Sequence, residues 1–511
     1  MFFKLAMMLA FFAVTLYIGF HTRKSARDVD GFVLGGRKVG AWLSAFAYGT
    51  SYFSAVVFIG YAGQFGWKYG MAALWIGLGN AFIGSLLAWY VLGGRTRAMT
   101  HHLQAQTLPE FFGARFSSRW LRIAAAGIVF IFLIPYTASV YNGLSRLFDM
   151  AFGVPYEWCI ILMAALTCVY VVMGGYMATA VNDTVQGVIM LLGIVAVVVA
   201  VLSGYGGFTQ AMIALSQVPS DASSGMTGMQ GTFVSLFGPD FLDLVGVFVL
   251  TSLGAWGMPQ MVQKFYAIQS VDAIKRGAII STVFALAVAG GSYFLGGFGR
   301  LAANVIAYTP AGTPVYDSII PAMLARMPNL LIGLTVVLVL SASMSTLSSL
   351  VLTSSSTLTL DFLKDNLIKD MSVRQQVTVI RALIVAFVLI STLIALIQYN
   401  SSITFIAQLM AISWGALAGA FLAPFLYGLY WQRATTASVW ACFIFAIALV
   451  CSNMLLSYIA SPINAGALAM LAGLVIVPLV SLITPKPDAA RIRRLFQESY
   501  LNFHDERIDA D

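Results

Sequence analysis

The sequence predicts an all-α membrane protein of about thirteen transmembrane helices, with a core of two inverted five-helix repeats that contain discontinuous helices. Three observations lead there. Only 9% of the 511 residues are charged and 60% are hydrophobic, where soluble domains carry roughly 25% charged residues. Apolar stretches of about 20 residues, the length that crosses a bilayer, recur from end to end. Two of those stretches are interrupted near their middle by glycine, serine and proline, and they lie five spans apart. The composition excludes a soluble enzyme or regulator, and a mean hydropathy of +0.88 leaves no room for a sizeable soluble domain.

The spans are read at 2–20, 41–63, 70–94, 121–148, 156–174, 181–203, 235–258, 276–299, 329–358, 376–397, 403–428, 436–458 and 464–484. The first, FFKLAMMLAFFAVTLYIGF, runs straight into HTRKSAR with no small-residue cleavage site, so it is taken as a span and not a signal peptide. With the N-terminus outside and the C-terminus cytoplasmic, the inner connections and flanking span ends hold Arg23, Lys24, Arg27, Arg37, Lys38, Arg95, Arg97, Arg115, Arg119, Arg122, Lys264, Lys275, Arg276, Lys364, Lys369, Arg374, Arg381 and Arg433, and the tail holds five more. The outside keeps Lys4, Lys68, Arg146, Arg300 and Arg326. A split of 23 to 5 among the 28 basic residues obeys the positive-inside rule, and one missed helix would invert everything after it. It also accounts for the +8 net charge without nucleic acid. Cys159, Cys168, Cys442 and Cys451 fall in apolar stretches and read as buried small residues, not as disulfides or metal ligands.

In the second span, AFAYGTSYFSA places Gly49, Thr50, Ser51, Ser54 and Ala55 at mid-membrane. In the seventh, TSLGAWGMPQ places Gly254, Gly257 and Pro259 there. Such residues interrupt the helical ladder. Unwound backbone is tolerated at that depth where it lines a polar cavity, and close packing through glycine is the alternative for either span alone. An offset of five is odd, so a repeated five-span unit enters the membrane in the opposite sense. Interrupted helices at matching positions of inverted halves point to a transporter site. The repeats are then 41–203 and 235–428, separated by an outer loop, 204–234. Residues 1–40 form a peripheral first helix and inner loop, 429–484 two peripheral helices, and 485–511 a cytoplasmic tail.

The ninth span ends in SASMSTLSSLVLTSSSTLT, residues 341–359, twelve of which are Ser or Thr. Hydrocarbon offers a hydroxyl no partner, so this stripe faces helices, water or an ion. Ser341, Ser345, Ser348 and Ser349 share one helix face. Close hydroxyls with free carbonyls suit a hard, weakly charged cation such as Na⁺; hydroxyls bonded back one turn in a closely packed helix are the alternative. Asp183, in NDTVQG, opens the sixth span near its inner end, either as a residue favoured at a helix start or as the counter-charge of a cation.

MSTLSS (344–349), YTASVYNGLSRLFDMAFGVPYE (136–157), TSYFSAVVFIGYAGQFGWKYG (50–70), NDTVQG (182–187) and PFLYGLYWQRA (424–434) resemble segments of the sodium:solute symporter family, which includes the proline, pantothenate, sialic acid and sugar symporters. The resemblance covers about residues 5–480 and is nearest to the proline and pantothenate branches. It implies a LeuT-like five-plus-five core working by alternating access. It implies a first sodium site from the carbonyls of Thr50, Phe53 and Ala342 and the hydroxyls of Ser345 and Thr346, and a second from Asp183, Ser345, Ser348 and Ser349. Tyr136, with Ser54, Trp256 and Gln260, would contact the solute. The proline branch has an acidic residue where this chain has Tyr52 and a tryptophan where it has Thr251; the sialic acid branch has an arginine in place of Tyr136.

The expectation is a secondary transporter, not an enzyme. It would import a small organic solute, an amino acid or a monocarboxylate such as pantothenate, by Na⁺ symport across a bacterial-type inner membrane. Na⁺ is the coupling ion, with no other metal, organic cofactor, nucleic acid or obligatory protein partner. The rivals are a proton-coupled symporter of the same fold, a polytopic membrane enzyme, and a solute sensor built on a transporter fold, which would need a signalling domain. The second lacks a catalytic cluster at membrane depth, since His21, His101, His102 and His504 lie in loops or tail.

Overall fold

Backbone in hydrocarbon must pair with itself, and the chain does so by helices. The computed structural model describes residues 2–225, 227–310, 312–325, 327–364, 366–401 and 406–508. Arg326, the start of the 403–428 span and the last three tail residues lie outside them. Among the described residues there is no strand, only three isolated bridges.

Eleven helices among them are long and apolar enough to cross a membrane. The sequence reading gives thirteen, and the difference lies in two helical stretches, Val56–His102 and Tyr156–Gly204, of 47 and 49 residues. Each is about twice the length one crossing needs. Each contains a glycine in the left-handed half of backbone space: Gly70 at φ +59° and Gly175 at φ +54°, ψ −144°. The expected spans 156–174 and 181–203 fall on either side of Gly175. The ninth span runs further than the sequence reading has it, because Asn329–Thr357 continues into a π-helical turn, Leu358–Leu363. The seventh begins later, at Phe241, after a capped turn in which Asp240 accepts from the Asp243 N–H.

Burial identifies the centre. The most apolar windows of Asn329–Leu363 and Ile406–Tyr430 are 83% buried, against 28% for Phe3–Ser25 and 33% for Thr436–Leu456. The Ser-rich helix, Asn329–Thr357, packs against Tyr156–Gly204, Arg119–Phe152, Phe2–Thr22, Val373–Ser401 and Ala41–Tyr52. Every residue from Ser341 to Thr357 is buried. Some of its hydroxyls do bond back one turn, Ser341 to the Val337 carbonyl at 2.8 Å and Ser343 to Val339 at 2.7 Å.

Both predicted interruptions are present. Ala41–Tyr52 stops at Phe53, whose backbone is extended (φ −109°, ψ 91°), and a π-helical segment, Val56–Tyr61, follows. Phe241–Gly254 gives way to a turn and an extended Met258 (φ −78°, ψ 122°); Pro259, its φ already helical, then opens Pro259–Ala267.

Basic residues gather at the two ends of the bundle. At one end Arg300 reaches the Trp67 carbonyl and Asp221 of the 204–240 loop, and that ion pair holds the Asp221 carboxyl below its ordinary value although partial burial opposes this. At the other end Arg37 donates to the Ala105 carbonyl, Arg97 to Ile268 and Arg115 to Gly428, and the tail helix Ala489–Ile508 docks there through Arg491 and Glu498.

Gly175 adopts a conformation that L side chains rarely enter, and a Cβ there would stand 2.7 Å from the Phe32 carbonyl oxygen. Gly175→Ala is predicted to destabilise the protein by about 1–3 kcal/mol, read as a lower unfolding midpoint in detergent. An unchanged midpoint would show that this glycine is not required by the bend.

Candidate functional site

A helix that stops leaves its last carbonyls without partners. The first broken helix makes its final bond from the Phe53 N–H to the Gly49 carbonyl, 3.1 Å. Ser54 starts the next segment by accepting from the Val56 N–H at 3.2 Å. The Thr50 carbonyl between them turns to the Ser-rich helix. It accepts from Ser345 Oγ at 3.1 Å and Thr346 Oγ1 at 3.3 Å. The same two hydroxyls reach the Ala342 carbonyl at 3.2 and 3.1 Å. Two carbonyls and two hydroxyls thus converge across one helix interface, fully buried, with no formal charge. Hard-cation ligands at about 2.3–2.6 Å place neighbouring oxygens a little over 3 Å apart, so this spacing suits a small cation. Four of the five residues proposed for the first sodium site are therefore together. The fifth, Phe53, is the extended residue of the break three positions on.

A second cluster lies one turn along the Ser-rich helix. Ser348 Oγ donates to the Ser345 carbonyl at 2.9 Å, and Ser349 Oγ lies 2.7 Å from Ser51 Oγ. Asp183 is buried inside the Tyr156–Gly204 helix, eight residues past the Gly175 bend. It does not open a helix, which removes the helix-start account of it. Neither carboxylate oxygen accepts a hydrogen bond among the described residues. Its charged neighbour is Lys264, which the charge count assigns to an inner connection. Lys264 instead points inward, and its Nζ donates to Ser349 Oγ at 3.0 Å. The signal was in PQMVQKFYA: Gln260, Gln263 and Lys264 share one face of a short helix that Pro259 opens. Asp361 was also missed. It ends the Ser-rich helix, buried, where it accepts from Arg122 at 2.7 Å and Thr107 at 2.5 Å.

Aromatic rings surround the first break. Tyr52 stacks on Phe53 at 4.4 Å and on Trp414 at 5.9 Å, and Tyr136 meets Trp414 edge to face at 6.0 Å. The Tyr136 phenol faces Ser54 and Trp414. Its hydroxyl, the Trp414 N–H and both polar atoms of the Gln260 side chain are buried without hydrogen-bond partners among the described residues. Buried polar groups are normally satisfied; the Gln260 amide is left wanting partners, while the Tyr136 phenol has Ser54 and Trp414 within reach. Trp256 differs: its indole N–H is engaged by the Ile83 carbonyl at 3.0 Å. Sequence reasoning named Ser54, Tyr136 and Gln260 but not Trp414, which comes from a span with no break to draw attention to it. The Tyr52 hydroxyl donates to the Thr251 carbonyl at 2.5 Å, a carbonyl freed because the second broken helix ends three residues later.

A sequence profile described as the sodium:solute symporter family matches residues 32–445. The chain is 29% identical over 443 residues to the sodium/proline symporter of Salmonella typhimurium, covering 84% of each. It is 28% identical over 492 residues to the osmoregulated proline transporter OpuE of Bacillus subtilis, covering 94% of this chain and 95% of that one. Among solved structures, a substrate-bound, outward-open Na⁺-coupled sialic acid symporter superposes with a TM-score of 0.75 at 18% identity, over 96% of this chain and 99% of that one. A nucleobase-cation-symport-1 family transporter in a closed conformation superposes with a TM-score of 0.50 at 14% identity, over 93% of this chain and 99% of that one. Both likenesses are of fold.

Removing the Tyr52 hydroxyl leaves the Thr251 carbonyl buried and unpaired. Tyr52→Phe is predicted to lower stability by about 1–3 kcal/mol, measured as a reduced unfolding midpoint of the purified protein. No change would mean that this bond does not join the two broken helices.

Proposed function

The chain belongs to the sodium:solute symporter family, and from that membership we propose that it imports a small organic solute by Na⁺-coupled alternating access. The observation that carries this reading is the buried cluster of Thr50, Ala342, Ser345 and Thr346 oxygens between the first broken helix and the Ser-rich helix. A Na⁺ accepted there, with the Phe53 carbonyl, bridges the two helices and stabilises one conformation of the carrier. If that conformation also binds solute best, each ligand raises the affinity of the other by the same factor. The cluster has no titratable group, which favours Na⁺ over a proton as the coupling ion. Asp183, Ser345, Ser348 and Ser349 form a second cation position beside it.

In this reading the chain crosses the membrane thirteen times, turning back at Gly70 and Gly175, with spans 41–203 and 235–428 as inverted repeats. The two interruptions in matching positions support the repeat. The N-terminus is outside and the tail cytoplasmic in a bacterial-type inner membrane, which agrees with Arg37, Arg97 and Arg115 lying at the same end as the tail helix. Ser54, Tyr136 and Gln260 meet the solute at the first break, and Trp256 supports that wall.

The solute is proline-like, as in the curated relatives, or another small amino acid or monocarboxylate. One contact favours a solute other than proline. Tyr52 stands where the proline branch has an acidic residue, and its hydroxyl donates to the Thr251 backbone carbonyl, so no carboxylate is offered there to the solute. A thermal-shift screen of amino acids, monocarboxylates and vitamins, each with and without Na⁺, identifies it.

Ser345→Ala and Thr346→Ala each remove one ligand from an uncharged site. Each is predicted to raise the Na⁺ concentration for half-maximal uptake tenfold or more, about 1.4 kcal/mol, at normal expression. Unchanged Na⁺ dependence in both variants would remove this cluster as the coupling site.

A further inference from the structure

Lys264 is buried in the bundle at 2% exposure, on the short helix that follows the second break. A lysine at such depth ordinarily reaches for water at an interface. This one does not. Its Nζ donates to Ser349 Oγ at 3.0 Å and stands 5.1 Å from the centre of the Tyr176 ring. Asp183 is the charged group that acts on it, and the Asp183 oxygens have no hydrogen-bond partner among the described residues.

An ammonium and a Na⁺ ask the same things of a protein: oxygen lone pairs, a π face or carbonyls, and one opposite charge. Here Ser349 supplies the lone pair and Tyr176 the π face to a nitrogen of the chain itself, and Asp183 is the opposite charge that acts on it. The Ser349 hydroxyl, held also by Ser51 at 2.7 Å, spends a lone pair on that nitrogen. A Na⁺ placed there as well would meet a fixed positive charge and would share one carboxylate with it.

We propose that the ε-ammonium of Lys264 is the resident cation of the second position, so that the carrier binds a single Na⁺, at Thr50, Ala342, Ser345 and Thr346. The inference rests on the Na⁺-coupled reading above and concerns how many ions that coupling uses. A tethered cation ties the helix after the second break to the Ser-rich helix throughout the cycle, where a mobile ion would join them only while bound.

Equilibrium binding of ²²Na⁺ to the purified full-length protein tests this. The wild type is expected to bind one Na⁺ per chain, and Lys264→Met two. The Ser348→Ala, Ser349→Ala double variant should still bind one, with the half-saturating Na⁺ concentration within threefold of wild type. Two Na⁺ on the wild type would overturn the proposal, as would loss of the single Na⁺ in the double variant or, with one Na⁺ on the wild type, a folded Lys264→Met protein that also binds only one. If Lys264→Met fails to fold, the wild type and the double variant decide. Na⁺ bound by Lys264→Met alone would overturn the coupling reading and leave the lysine's role standing; no Na⁺ on either would overturn both.

Discussion

Hydrocarbon gives a polar group nothing to pair with, and that constraint organises this protein. Twelve hydroxyl side chains in nineteen residues would be intolerable on a lipid face. They are tolerated because the helix that carries them is enclosed by its neighbours. Some satisfy themselves against the carbonyl one turn back. Ser345 and Thr346 do more, because the neighbouring helix is broken beside them and presents the Thr50 carbonyl. Break and stripe explain each other: the unwound backbone needs donors, and the hydroxyls need acceptors.

The two proposed cation positions differ in physical kind. The first is neutral, so it gains from a cation without a buried charge to maintain in its absence. The second contains a carboxylate, and an isolated buried charge costs several kcal/mol unless paired. Lys264 supplies the compensation from within the chain. Two unit charges about 4 Å apart repel by roughly 4 kcal/mol at an effective dielectric of 20, equivalent to about three powers of ten in affinity. Under the proposal that repulsion, set against a single carboxylate that the two cations would have to share, closes the second position to Na⁺.

Much of this was legible from residues. The membrane class follows from composition, and both interruptions follow from Gly49 to Ser54 and from Gly254 to Pro259, because these residues act on their own backbone. The shared face of Ser341, Ser345, Ser348 and Ser349 follows from helical periodicity, whereas Thr346 enters only through the family resemblance. What was not legible depends on contacts between distant segments. Lys264 counts as an inner cation when only its sequence neighbours are considered; its burial depends on how Pro259–Ala267 docks against the Ser-rich helix. Asp183 looks like a helix start because the bend that precedes it is at Gly175, and one sequence cannot say at which of two adjacent glycines, Gly174 or Gly175, the helix turns. Trp414 is an ordinary aromatic in an apolar span until Tyr52 and Tyr136 are brought against it.

The central claim is that Na⁺ joins the first broken helix to the Ser-rich helix. Hydrogen–deuterium exchange of residues 46–58, compared in Na⁺ and in K⁺ at equal ionic strength, tests it most directly. Bridging predicts slower exchange of this segment in Na⁺ alone, lost in Thr346→Ala. Equal exchange in the two salts, or slowing confined to the helix around Asp183, would contradict it.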